Sequence, residues 1–128
     1  MSAGNDITTE AVRLAMSMNQ LRAEYASQNI AKASTPGAQA TRLDFGFSQG
    51  LLEQAAQVSS SGERGLLDAL TDAAAQPPSG EHLDAPGSTI NLDEEVADMV
   101  SANLKYQTLT ESLNRHFGLM HLAITGRN

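Results

Sequence analysis

The residues able to do chemistry are few, and their spacing does not suit it. His116 and His121 stand five apart, whereas a helix brings two ligands to one metal at steps of three or four. His82 stands alone in a Pro- and Gly-rich stretch. Asp93-Glu94-Glu95 is a run of three acids, but consecutive helical residues point in different directions and make no acid–base pair. At a helix start they would compensate the macrodipole instead. Ser59-Ser60-Ser61-Gly62 lacks the Lys and helix of a phosphate loop and reads as a linker. The chain has no cysteine, which excludes thiol catalysis, thiolate metal sites and a disulfide framework. These residues predict no enzyme, metal, cofactor or small-molecule substrate.

Charge narrows the partners. The net charge of −7 argues against nucleic acid, which needs clustered Lys and Arg. Between Leu43 and Val100 the chain carries eleven carboxylates and one Arg. This acidic stretch reads as a solvated face on the outer surface of an assembly, with electrostatic matching to a basic partner as the alternative. No apolar run reaches membrane-span length. The opening MSAGNDITTE has no basic start followed by a hydrophobic block, which predicts no cleavable signal peptide. With no Trp and only five Phe plus Tyr, the core must be thin, since each large buried side chain contributes roughly 1.5–3 kcal/mol. An elongated shape, or burial against other chains, follows.

The elements that position these residues divide the chain into 1–37, 38–90 and 91–128. The first part is a helix from about Ile7 to Ala33. Ile7, Ala11, Leu14, Met18, Leu21 and Tyr25 recur at steps of four and three, a heptad seam. A second strip, Val12, Ala15, Met16, Ala23, Ala26 and Ile30, is richer in small residues and admits a close neighbour. Pro36 and Gly37 stop the helix: the residue before a proline avoids helical geometry, and glycine tolerates positive φ. In the middle part, Leu43, Phe45 and Phe47 alternate with polar or small residues and predict a short extended piece. Two modest helices are expected at Ser48–Val58 and Glu63–Ala75, and QPPSGEHLDAPGST reads as linker. The last part is a helix capped by Asn91 or Asp93 and closed by Gly126 and Arg127. Its seam runs Leu92, Val96, Met99, Asn103, Tyr106, Thr110, Leu113, Phe117, Met120 and Ile124. About 33 such residues span roughly 50 Å. The predicted fold is all-α: two long terminal helices packed as an antiparallel, coiled-coil-like pair around an irregular middle. Each helix keeps apolar surface that such a pair leaves bare, so further chains are expected to cover it.

Asn29-Ile30-Ala31-Lys32-Ala33-Ser34-Thr35-Pro36-Gly37, closing the first helix, resembles the signature of bacterial flagellar axial proteins, the rod, hook and hook-cap-junction family. The C-terminal stretch strengthens the likeness through Leu92, Glu95, Met99, Asn103, Tyr106-Gln107, Leu109-Thr110, Leu113 and Phe117, a pattern similar to that of short basal-body rod proteins. The resemblance covers roughly 14–44 and 90–124. It departs at Ala38, where the family often carries an aromatic residue, and at Gln39-Ala40-Thr41-Arg42, usually basic. It implies a structural subunit of the proximal rod, exported by the flagellar type III pathway. It implies contacts with copies of itself, other rod proteins, the rod-base adaptor, the export gate and the membrane-embedded motor ring. The contact residues implied are Leu14, Met18, Leu21, Tyr25, Asn29, Ile30, Ala33, Thr35, Pro36 and Gly37 on the first helix and its turn. On the last helix they are Leu92, Val96, Met99, Asn103, Tyr106, Leu113, Phe117 and Met120. The alternative from another class is a soluble coiled-coil adaptor or chaperone of a type III secretion system.

Overall fold

The computed structural model describes residues 3–57, 63–76, 78 and 80–125. Helix α1 (Ala3–Lys32) leads through a turn into strand β1 (Thr41–Leu43). Helices α2 (Gly46–Ala56) and α3 (Glu63–Ala75) follow, then strand β2 (Glu81–Leu83) and helix α4 (Leu92–Thr125). The strands pair antiparallel, Thr41 opposite Leu83, Arg42 opposite His82 and Leu43 opposite Glu81. This ribbon is the neck through which the chain leaves for α2 and α3 and returns. Ser59-Ser60-Ser61-Gly62, Gly126 and Arg127 lie outside the described residues.

The two long helices pack closely and antiparallel, as their matching patterns predict. Asn29, near the end of α1, meets Glu95, near the start of α4. The seam of α1 is used differently from the expectation. Ile7, Leu14 and Met18 form a buried cluster with Leu51 of α2 and Leu70 of α3. The middle part, too weakly patterned to read as a packing partner, therefore covers the large residues of α1. The small-residue strip is left to meet α4, and Ala26 and Ala102 are both buried. Small side chains let helix axes approach, which is why a strip poor in leucine serves this contact.

Among the described residues, helix α4 packs on α1 alone of the helices, and Arg42 of β1 reaches its first turn. Its inward row is Glu95, Met99, Ala102, Tyr106, Leu113 and His116, all buried or half-buried. This row shares Met99, Tyr106 and Leu113 with the predicted seam. Leu92, Val96, Asn103 and Phe117 stand exposed instead. The helix is rolled because Glu95, which periodicity reads as polar, has partners inside. The expected extended piece also shifts. The strand ends at Leu43, and Asp44 Oδ1 accepts the Gly46 N–H at 2.8 Å, starting a helix that takes in Phe47. Asn91 caps α4, its Oδ1 accepting the Glu94 N–H at 3.2 Å.

Candidate assembly site

Two features meet where α1 ends and α4 begins. The first is a polar lock built on Asn29. Its Oδ1 accepts the Thr41 N–H at 2.8 Å, and its Nδ2 donates to the Thr41 carbonyl at 3.1 Å. The side-chain amide thus bonds the Thr41 backbone as a neighbouring strand would. The same Nδ2 donates to Glu95 Oε1 at 3.0 Å. Glu95 is 1% exposed, and its Oε2 lies 2.8 Å from Arg42 Nη2. Arg42 also grips Asp84 at 3.2 Å. Asp84 above all, together with Glu95, holds the guanidinium pKa above its ordinary value, against the opposing pull of burial. A buried carboxylate is tolerated only when paired and hydrogen-bonded, and both conditions hold for Glu95. Lys32 completes the lock, its Nζ donating at 2.8 Å to the Gln39 carbonyl and to Thr41 Oγ1.

Tyr25 extends the set. Its hydroxyl donates to Glu81 at the start of β2, so it ties α1 to the ribbon and not to α4. That hydrogen bond raises the phenol pKa above 10.0, because ionisation would set a phenolate against a carboxylate. The neutral phenol is the form the fold favours. Its contribution is present below the unfolded pKa and is lost as pH rises through the higher folded value. In an alkaline absorbance titration, the tyrosinate signal that Tyr25→Phe removes should have its midpoint above pH 10.

The second feature is a pair of Pro-Gly turns. Thr35-Pro36-Gly37-Ala38 closes with the Ala38 N–H donating to the Thr35 carbonyl at 3.1 Å. Ala85-Pro86-Gly87-Ser88 closes in the same way at 3.1 Å. Gly37 has φ 78° and Gly87 φ 88°, so both are type II turns, with proline second and glycine third. A side chain at either glycine would be strained by the backbone alone, since open space surrounds both. The turns stand side by side across a cleft of about 330 Å³, lined by 33–38 and 87–90. Sequence reading found the first turn and read the second as linker. The repeated Pro-Gly was the signal available.

The predicted contact residues fall into three groups. Leu14 and Met18 are buried in the α1–α2–α3 core, and Asn29 is buried in the lock. Leu21, Tyr25, Ile30, Ala33, Met99, Tyr106 and Leu113 are half-buried. Thr35, Pro36, Gly37, Leu92, Val96, Asn103 and Phe117 are exposed. The side chain of Met120 lies outside the described residues. Glu95, Arg42, Asp84 and Lys32 were not among them, because a charged residue in an amphipathic helix or linker reads as solvated. Among the described residues no cluster of three or more His, Asp or Glu is arranged to hold a metal.

Flagellar basal body rod protein FlgB of Yersinia ruckeri is 35% identical over 104 residues, covering 73% of this chain and 76% of that protein. The chain belongs to the FlgB family. FlgB of Yersinia enterocolitica is 36% identical over 107 residues, with the same coverage. No family model matches the chain. Membership rests on those two FlgB proteins, and the paired helices with the Thr-Pro-Gly turn agree with it. No described helix is long and apolar enough to cross a membrane.

Proposed function

We propose that this FlgB-family chain is a structural subunit of the proximal rod of the flagellar basal body. It transmits torque, takes part in lining the axial export channel and serves flagellum-dependent motility. Export runs through the flagellar type III pathway to a rod crossing the periplasm. Its partners are copies of itself, other rod proteins, the rod-base adaptor, the export gate and the motor ring. Residues 1–37 and 91–128 are the assembly helices, and 38–90 is the outward, acidic part.

One observation carries this reading. Among the described residues, α4 packs on one helix, α1, and Val100, Leu104, Leu119 and Leu122 are each more than half exposed. A subunit whose long helix is finished on one side only is built to be covered by others. Torque asks for many small contacts along long helices, and that is the surface left open. The exposed members of the contact set, Leu92, Val96, Asn103 and Phe117 on α4 and Thr35, Pro36 and Gly37 in the turn after α1, are offered to those neighbours.

Leu104→Asp tests it. Leu104 is 61% exposed, so the purified variant should melt within a few degrees of its parent. Covering one leucine is worth roughly 1.5–3 kcal/mol, and tenfold accompanies each 1.4 kcal/mol. Incorporation into purified basal bodies should fall roughly tenfold or more, with motility lost and expression kept. If the parent protein is absent from basal bodies and stays in the cytosol as a small discrete oligomer, the chain is an adaptor and not a rod subunit.

A further inference from the structure

In this acidic chain, three of the eight Lys and Arg line one cleft. The cleft, about 330 Å³, lies beside the polar lock, where α1, β1 and α4 meet. Arg22 enters it from α1, Arg42 from β1, and Glu95, Asp98, Ser101 and Lys105 from α4. Arg42 is already taken by Asp84 and Glu95. Arg22, Lys105 and Asp98 have no ion pair among the described residues. The unspent charges of the lining are thus two cations against one carboxylate. Arg22 is held in place without being used up. Its guanidinium carbon lies 4.6 Å from the centroid of the Phe45 ring, and Phe45 is itself packed on the buried core at the start of α2. Stacking occupies one face of the planar group and leaves its N–H donors, which lie in the plane, available. Lys105 comes from the other long helix and is exposed, so its flexible stem can close over whatever Arg22 holds.

We propose that this cleft seats a carboxylate side chain from an acidic segment of a partner protein, gripped between Arg22 and Lys105. The fork of Arg22 matches the two oxygens of a carboxylate, Lys105 supplies the second charge, and the exposed hydroxyl of Ser101 is one turn away on α4. The charge count selects the ligand. Two cations against Asp98 leave one positive charge, which suits a single negative one. A phosphate carries about −1.5 to −2, and its second charge would face Asp98 with no cation left to neutralise it. Because Arg22 and Lys105 stand on different helices, the seated carboxylate also ties α4 to α1. A ligand that binds only the folded pair stabilises it. The site belongs to a single copy of the chain and does not depend on the rod reading.

The test titrates the full-length, nitrogen-15-labelled chain with end-blocked hexaglutamate, and separately with hexaglutamine and inorganic phosphate. Hexaglutamate should move the amide signals of Arg22, Ser101 and Lys105 and raise the melting midpoint, and hexaglutamine should do neither. Arg22→Gln and Lys105→Gln should each weaken the binding roughly tenfold, by removing a charge-assisted contact. Asp98→Asn should strengthen it several-fold. Arg115→Gln removes an exposed cation elsewhere on α4 and should leave it unchanged. Lys105 is exposed, so Lys105→Gln should melt like its parent and carries the test even if Arg22→Gln folds poorly. Binding that survives both cleft variants overturns the proposal. So does binding that Arg115→Gln weakens as much as they do, since attraction is then diffuse. Phosphate that displaces hexaglutamate at equal concentration overturns the choice of a carboxylate.

Discussion

Replacing Leu14 with Ala lowers the unfolding free energy by about 2–5 kcal/mol, the range for a leucine deleted from a packed core. Leu14 is 1% exposed and sits where α1 meets Leu51 and Leu70. A domain of this size has roughly 5–15 kcal/mol in all, so the change removes a large share. In a thermal melt followed by circular dichroism, the midpoint should drop by about 10 °C or more. The loss should reach α2 and α3 together, because their buried leucines share one cluster with this residue. Leu70→Ala should reproduce it, since Leu70 is wholly buried in the same cluster. A melt unchanged by both would mean that α2 and α3 do not pack on α1. Exposed Leu104, on α4, should show no such effect, which separates the core of one copy from the surface offered to the next.

Asn29→Ala acts on the lock. It removes three hydrogen bonds at once and leaves the Thr41 backbone and Glu95 Oε1 short of a partner. Leaving buried polar groups unpaired costs about 1–3 kcal/mol each. With Thr41 partly solvated, we expect a total near 3 kcal/mol. Glu95→Ala should cost about 2 kcal/mol, less than a fully buried pair, because Arg42 keeps Asp84 and remains partly solvated. The two residues touch, so the double variant should lose less than the separate losses added together. Additivity in urea titrations would show that they act independently. Hydrogen exchange should locate the damage: amides of the first turns of α4 and of β1 speed up, while those around Leu14 stay protected.

The sequence made the terminal helices legible through their four-and-three spacing, and the Thr-Pro-Gly turn through residue types that a type II geometry favours. It did not reveal which stripe meets which. Heptad spacing marks a face as apolar but does not name its partner, and α1 has two partners. Leu14 and Met18 looked like a match for α4 and went to the middle of the chain, because a helix pair lies closer through Ala26 and Ala102. Glu95 was hidden for a different reason. Its neighbours Asp93 and Glu94 serve the helix start, and although the flagellar pattern includes Glu95 alone of the three, periodicity does not show that it turns inward. Only the placement of Arg42 and Asn29, 53 and 66 residues earlier in the chain, makes that position favourable. Ribbon strands of three residues are shorter than any alternation a sequence can display.

The amide of Asn29 against Thr41 has a bearing on how the protein survives before it is built into anything. A two-stranded ribbon ordinarily offers unpaired backbone to any passing chain, the start of cross-β aggregation. Here the outer margin of β1 is occupied at Thr41 by its own helix, and the opposite margin, on β2, is three residues long and begins with Glu81. Free copies of the chain are thereby steered away from fibril-like association through the ribbon.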